Sequence, residues 1–80
     1  MNGRILQAIQ DERDRQDIKW GKATERNLDK KTWLTILTEE VGEVAESILE
    51  RDDANYPVEL VQVAAVCVAA LEDLEAQQNA

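Results

Sequence analysis

Apolar residues recur at helical spacing through three stretches of the chain and lapse between them. From Trp33 to Arg51, wound at about 100° per residue, Leu34, Leu37, Val41, Val44 and Ile48 fall on one narrow stripe, which predicts a core-facing helix. Beside that stripe, about 60° round the helix, run Ile36, Glu40, Glu43 and Ser47. Upstream, Ile5, Leu6 and Ile9 give a short apolar face to a first helix from Arg4 to about Gln16. Its second half, DERDRQ, is almost wholly charged and reads as a solvated face. Downstream, Val58 to Leu71 is apolar nearly all round, with Glu59 and Gln62 as its only polar side chains. A helix of that kind needs cover on several sides.

The punctuation between these stretches agrees with helices. Thr32, or Asp29 a turn earlier, can cap the second helix. Asp52, Asp53, Ala54 and Asn55 end it, and Pro57 suits the first position of a third helix, with Glu59 placed favourably in its first turn. A link of about six residues predicts that the second and third helices form an antiparallel hairpin. From Lys19 to Lys31 the periodicity fails, and Gly21, Thr24, Asn27 and Asp29 mix with five basic residues. That segment reads as a loop. Trp20 and Trp33 bracket it, each either a partial core plug or a flat surface on which a base can stack.

The expected fold is therefore all-α, a single domain of an N-terminal helix and an antiparallel hairpin. Eighty residues bury proportionally little surface and cannot cover the third helix alone. A homodimer or homotetramer completing four-helix bundles is the expectation.

Charge narrows the partners. Nine basic against seventeen acidic residues give a net charge of −8, which argues against nucleic-acid binding through a basic patch. An anionic substrate would need a divalent cation as mediator. No His is present, so the commonest general base and any His-containing zinc site are ruled out. The one cysteine, Cys67, lies in an apolar run and has no intrachain partner, which points to a reducing compartment. The N-terminal residues show no secretory leader, and the most apolar run, Val63 to Leu71, is short of the roughly 18–20 residues of a membrane span. A cytoplasmic protein without a membrane partner is expected.

Glu40 and Glu43 are one turn apart at the rim of the apolar stripe, where they repel each other and lose hydration. Glu59 and Gln62 repeat the spacing near the start of the third helix. If the link lets the two pairs come level, they form a site of oxygen ligands, suited to Mg²⁺ or Mn²⁺. Acidic pairs at this spacing are also common on helix surfaces, and the pairs alone do not decide between the two readings.

The order of these segments carries more. ERDRQDIKWG, then WLTILTEEVGEVAESILE, then ELVQVAAVCVAALEDLE resembles the MazG-like, all-α nucleoside triphosphate pyrophosphatase superfamily over most of the chain. The family pattern is E-E-x-x-E, a helix–loop–helix gap, then E-x-x-D. The resemblance implies helical dimers or dimers of dimers that cleave nucleoside triphosphates to the monophosphate and pyrophosphate. It implies Glu40, Glu43 and Glu59 as Mg²⁺ ligands, with Glu39 binding a further ion or orienting the attacking water. Gln62 stands where the pattern has Asp; its amide oxygen can still ligate, with one negative charge fewer. Lys19, Lys22, Trp20 and Trp33 are the expected contacts to the nucleotide, with Arg26, Lys30, Lys31 and Arg51 as further sources of positive charge. The alternative function is a non-catalytic helical oligomerisation or binding module that keeps the family fold.

Overall fold

The computed structural model describes all 80 residues, as four helices without strands: α1 (Gly3–Trp20), α2 (Ala23–Arg26), α3 (Lys30–Leu49) and α4 (Tyr56–Gln78). None is long and apolar enough to cross a membrane.

Each boundary has a local cause. The Asn2 side chain accepts the Ile5 N–H at 2.9 Å and starts α1. That helix runs four residues past the expected end at Gln16, because nothing in Asp17–Trp20 breaks it before Gly21. Gly21 adopts φ 88°, a conformation that favours glycine, and its N–H reaches the Asp17 carbonyl at 3.0 Å. Of the two cap candidates for α3, Asp29 takes the role and accepts the Thr32 N–H at 2.7 Å. The helix ends in a Schellman motif, with Asp52 N–H bonded to Ser47 O at 2.9 Å and Arg51 N–H to Ile48 O at 3.1 Å. Pro57 sits in the first turn of α4, which begins one residue earlier than expected, at Tyr56.

The segment read as a loop is partly helical and firmly held. Its start is tied down by Asp17, which accepts the Ala23 N–H at 3.2 Å. Its end is tied by Asp73 and Gln77: Leu28 N–H donates to Asp73 at 2.9 Å, and Gln77 Nε2 donates to the Leu28 carbonyl at 3.0 Å. These partners lie up to 49 residues away, so no local pattern announces them.

The hub of the fold is α4, which packs on α1, α2 and α3, and α3 and α4 form the expected antiparallel hairpin. The core is thin: Ala23, Trp33, Val66 and Ala69, with Leu28, Ile36, Leu37 and Ala70 partly buried around them. Nine residues are buried, and four of those are the polar Arg13, Ser47, Glu59 and Asp73. The charge run of α1 is thus not wholly solvated. Arg13 turns inward to Glu72 at 2.8 Å and Asp17 at 2.7 Å, and a Gln16 oxygen accepts at 3.0 Å.

The apolar stripe of α3 corrects its expected role. Leu34, Val41 and Ile48 remain 62%, 51% and 57% exposed, while the neighbouring face, with Trp33 and Ser47, is the one that is buried. The buried face is held by what meets it from α4, where Asp73 accepts the Trp33 indole N–H; the same face brings Glu40 and Glu43 close to Glu59. Cys67, expected within an apolar run, is exposed.

Candidate metal centre

Two helices deliver the carboxylates. Glu40 and Glu43 project from successive turns of α3, and Glu59 from the first turns of α4, brought level by the six-residue link of residues 50–55. Asp52 shapes that link by accepting the Asn55 N–H at 3.1 Å on its side chain and the Tyr56 N–H at 3.1 Å on its carbonyl. One oxygen from each of Glu40, Glu43 and Glu59 lies within 4.8 Å of the others. Asn55 Nδ2 donates to Glu59 at 2.9 Å and so fixes that side chain from the residue that caps its own helix.

The electrostatics of the trio are unbalanced. Glu59 is only 9% exposed, and both it and Glu40 hold a fully buried Oε2 without a hydrogen-bond partner. Hydrogen bonding to Glu59 pushes the Glu43 carboxyl up to about 7, reinforced by lost hydration and by the charges of Glu40 and Glu59. Burial, then the Glu59 charge, raises the Glu40 carboxyl as well. The ion pairs of the chain join Arg13 to Asp17 and Glu72, and Arg15 to Glu12; none neutralises the trio. Clustered oxygens of this kind, two of them buried and unpartnered, fit a hard divalent cation.

The other expected residues divide around this centre. Gln62 lies on α4 one turn beyond Glu59 and is half-buried. Glu39 is exposed beside Glu40. Glu46, Ser47, Glu50 and Asp52 extend the acidic surface from Glu43 and Glu59 along a polar cleft of about 240 Å³ towards the α3–α4 turn.

On the opposite side, Glu40 also walls a second cavity of about 190 Å³, shared with Arg15, Lys19, Trp20, Arg26 and Trp33. Lys19 Nζ stands 4.8 Å from the centre of the exposed Trp20 ring, and the Arg26 guanidinium 5.2 Å from the Trp33 ring. Lys22 is exposed at the head of α2 and does not line this cavity. Trp33 is a core residue, 8% exposed, with its indole N–H donated to Asp73 at 2.8 Å.

Sequence reasoning passed over Asp73, Arg13 and Arg15. Of these, Arg13 gave a signal in its spacing of four from Asp17. Asp73 shares such a spacing with Gln77, but its partners Leu28 and Trp33 lie 45 and 40 residues away, and no local pattern announces them.

The chain matches no protein-family model, no curated protein and no solved structure.

Proposed function

We propose that this chain is a nucleoside triphosphate pyrophosphohydrolase dependent on Mg²⁺, with Mn²⁺ as a substitute. Water attacks the α-phosphate, the α–β phosphoanhydride bond breaks, and the products are the nucleoside monophosphate and pyrophosphate. The observation that carries this reading is the double position of Glu40, a member of the carboxylate trio and a wall of the cationic, aromatic cavity. A ligand bearing both polyphosphate and base needs that combination of neighbours.

Glu40, Glu43 and Glu59 are the ion's ligands in this reading, with the Gln62 amide oxygen as a fourth. When bound, Mg²⁺ supplies charge neutralisation for phosphate oxygens and a water of lowered pKa. Lys19 and Arg26 form no ion pair with a carboxylate of the chain and are free to meet phosphate oxygens. Trp20, 59% exposed, offers a ring face to a base. Lys22 adds positive charge in the turn between α1 and α2. Glu39, exposed to solvent and next to Glu40 in the sequence, orients the attacking water and accepts its proton in this reading, a role for which the chain has no His.

A second reading is favoured by Gln62, which leaves the site one carboxylate short: a helical module that binds nucleotide or protein without turnover. Incubation with a panel of ribo- and deoxyribonucleoside triphosphates and Mg²⁺ decides between them. Pyrophosphate and monophosphate in equal amounts, lost in Glu43→Gln, are expected. Nucleotide binding without product supports the module, and release of orthophosphate with a diphosphate refutes the proposed bond cleavage.

A further inference from the structure

One polar row of α1 runs beside the carboxylate trio. Glu12, Arg15 and Lys19 follow one another at steps of three and four residues, so they share a face of the helix, with Trp20 at its end. Arg15, Lys19 and Trp20 line the cavity of about 190 Å³ that Glu40 walls. The row has a direction. Glu12 and Arg15 are the members whose charges act on Glu40, while Lys19 lies about 6 Å further along the axis, against the Trp20 ring.

Arg15 is held in place by a chain of hydrogen bonds that starts in the core. Arg13, 4% exposed, donates from Nε to Glu72 of α4 at 2.8 Å and from Nη1 to Gln16 Oε1 at 3.0 Å. Gln16 Nε2 in turn donates to Glu12 Oε2 at 3.1 Å. Glu12, with its side chain 11% exposed, then accepts from Nε and Nη2 of Arg15 at 2.8 and 2.7 Å. A surface ion pair contributes little to stability by itself. One whose carboxylate is anchored to the core instead fixes where its guanidinium stands.

The Arg15 guanidinium is left ready for a second partner. Its side chain is 53% exposed, and Glu12 engages Nε and Nη2, so Nη1 makes no hydrogen bond. A guanidinium with a free edge binds phosphate oxygens in pairs. The trio gives a reason for such a contact. Three carboxylates outweigh one divalent ion, so an anionic ligand on that ion needs a cation close by. Arg13 cannot serve, because Glu72, Asp17 and Gln16 close it off.

We infer that Arg15 is a phosphate-binding residue of this site and that Glu12 positions it. The free guanidinium edge takes phosphate oxygens beside the ion of Glu40, Glu43 and Glu59. The ligand then lies along α1, with its phosphates towards residue 15 and its base towards Trp20. The inference rests on the nucleotide reading for the class of ligand, and adds to it a residue and a direction.

Calorimetry with Mg²⁺ alone, then with inorganic tripolyphosphate at saturating Mg²⁺, tests it. Arg15→Gln should weaken tripolyphosphate binding on the order of 10- to 100-fold, the weight of a charge-assisted contact. The same variant should bind Mg²⁺ alone as tightly as wild type or more tightly, since a positive charge has left the neighbourhood of the trio. Arg15→Lys keeps the charge without the fork and should recover only part of the loss. Glu12→Gln should weaken tripolyphosphate binding in the wild-type background and add nothing in the Arg15→Gln background. Arg4→Gln, at the far end of α1, should bind as wild type does.

Wild type that binds no tripolyphosphate with Mg²⁺ overturns the inference, and so does Arg15→Gln binding it as wild type does. Loss of Mg²⁺ binding in Arg15→Gln marks a structural role, and equal weakening by Arg4→Gln marks bulk charge; either overturns it. Full recovery in Arg15→Lys overturns the paired contact, and an equal effect of Glu12→Gln in both backgrounds overturns the positioning. Pyrophosphate release from nucleoside triphosphates judges the enzyme reading separately. Release by wild type with tripolyphosphate binding unchanged in Arg15→Gln sinks the role of Arg15 alone. Binding that depends on Arg15, without release by wild type, sinks the enzyme reading alone.

Discussion

Asp73 of α4 accepts the indole N–H of Trp33 of α3 at 2.8 Å, and the same Asp73 oxygen takes the Leu28 N–H at 2.9 Å. Its other oxygen accepts from Gln77 at 3.1 Å. Burial pushes this carboxyl up, but hydrogen bonds from Gln77, Trp33, Leu28 and Asn27 outweigh it and hold the group below its ordinary range. One 1%-exposed carboxylate thus locks α4, α3 and the segment after α2 together.

Removing that lock leaves several donors without acceptors. Asp73→Ala is expected to cost about 2–4 kcal/mol, since an unpaired buried polar group costs more than its hydrogen bond contributed. Urea unfolding followed by circular dichroism measures it. A change under about 0.5 kcal/mol, the scale of an ordinary surface substitution, would refute the role.

Arg51 holds φ 55° at the residue after the α3 cap, a conformation that favours glycine. Arg51→Gly is expected to raise stability by about 0.5–1 kcal/mol, the relief of the side-chain clash exceeding the added freedom of the unfolded chain. The urea midpoint should move up, and a downward shift would show that the Arg51 side chain makes a stabilising contact.

The trio makes stability depend on pH in a definite direction. Glu43 titrates near 7 in the folded chain against an ordinary value of 4.5, and Glu40 is raised too. Between those limits the folded state binds more protons than the unfolded one, so stability falls as pH rises from about 4.5 to about 7. The stabilising contribution is fully present only below 4.5. Melting temperature in a chelator should therefore drop across this window. Millimolar Mg²⁺ should restore it at pH 8, and Glu43→Gln should flatten both responses. A wild-type curve unaffected by Mg²⁺ and Mn²⁺ at pH 8 would remove the metal centre.

Gln62 gives the sharpest single-residue test. As a ligand in a working site, Gln62→Asp adds a carboxylate, so Mg²⁺ binding should tighten by calorimetry and pyrophosphate release should persist or increase. Without Mg²⁺ the variant should melt lower than wild type, as a fourth negative charge joins the trio. Weaker Mg²⁺ binding together with a lower melting temperature in its presence would identify Gln62 as a core polar residue.

The residues themselves determined the helices. Periodicity, the Asp29 cap, Pro57 and the breaking run at Asp52–Asn55 act within a few positions, so α3, α4 and their antiparallel pairing were legible in the chain. So was the neighbourhood of Glu40, Glu43 and Glu59, because helix geometry sets the first spacing and a short link constrains the second. Which face of each helix turns inward was settled by contacts across the fold. An apolar stripe needs cover but does not name what covers it; in this chain Asp73 holds the Trp33 side of α3 inward through the indole N–H, and Leu34, Val41 and Ile48 stay in solvent. The helical Ala23–Arg26 segment and the burial of Arg13 were equally out of reach. Arg13 is held by Glu72, and the end of the segment after α2 by Asp73 and Gln77, bonds formed only once α4 has come back along the rest of the chain. Local patterns record the preferences of a few neighbouring residues; the choice among faces belongs to contacts forty and more residues apart.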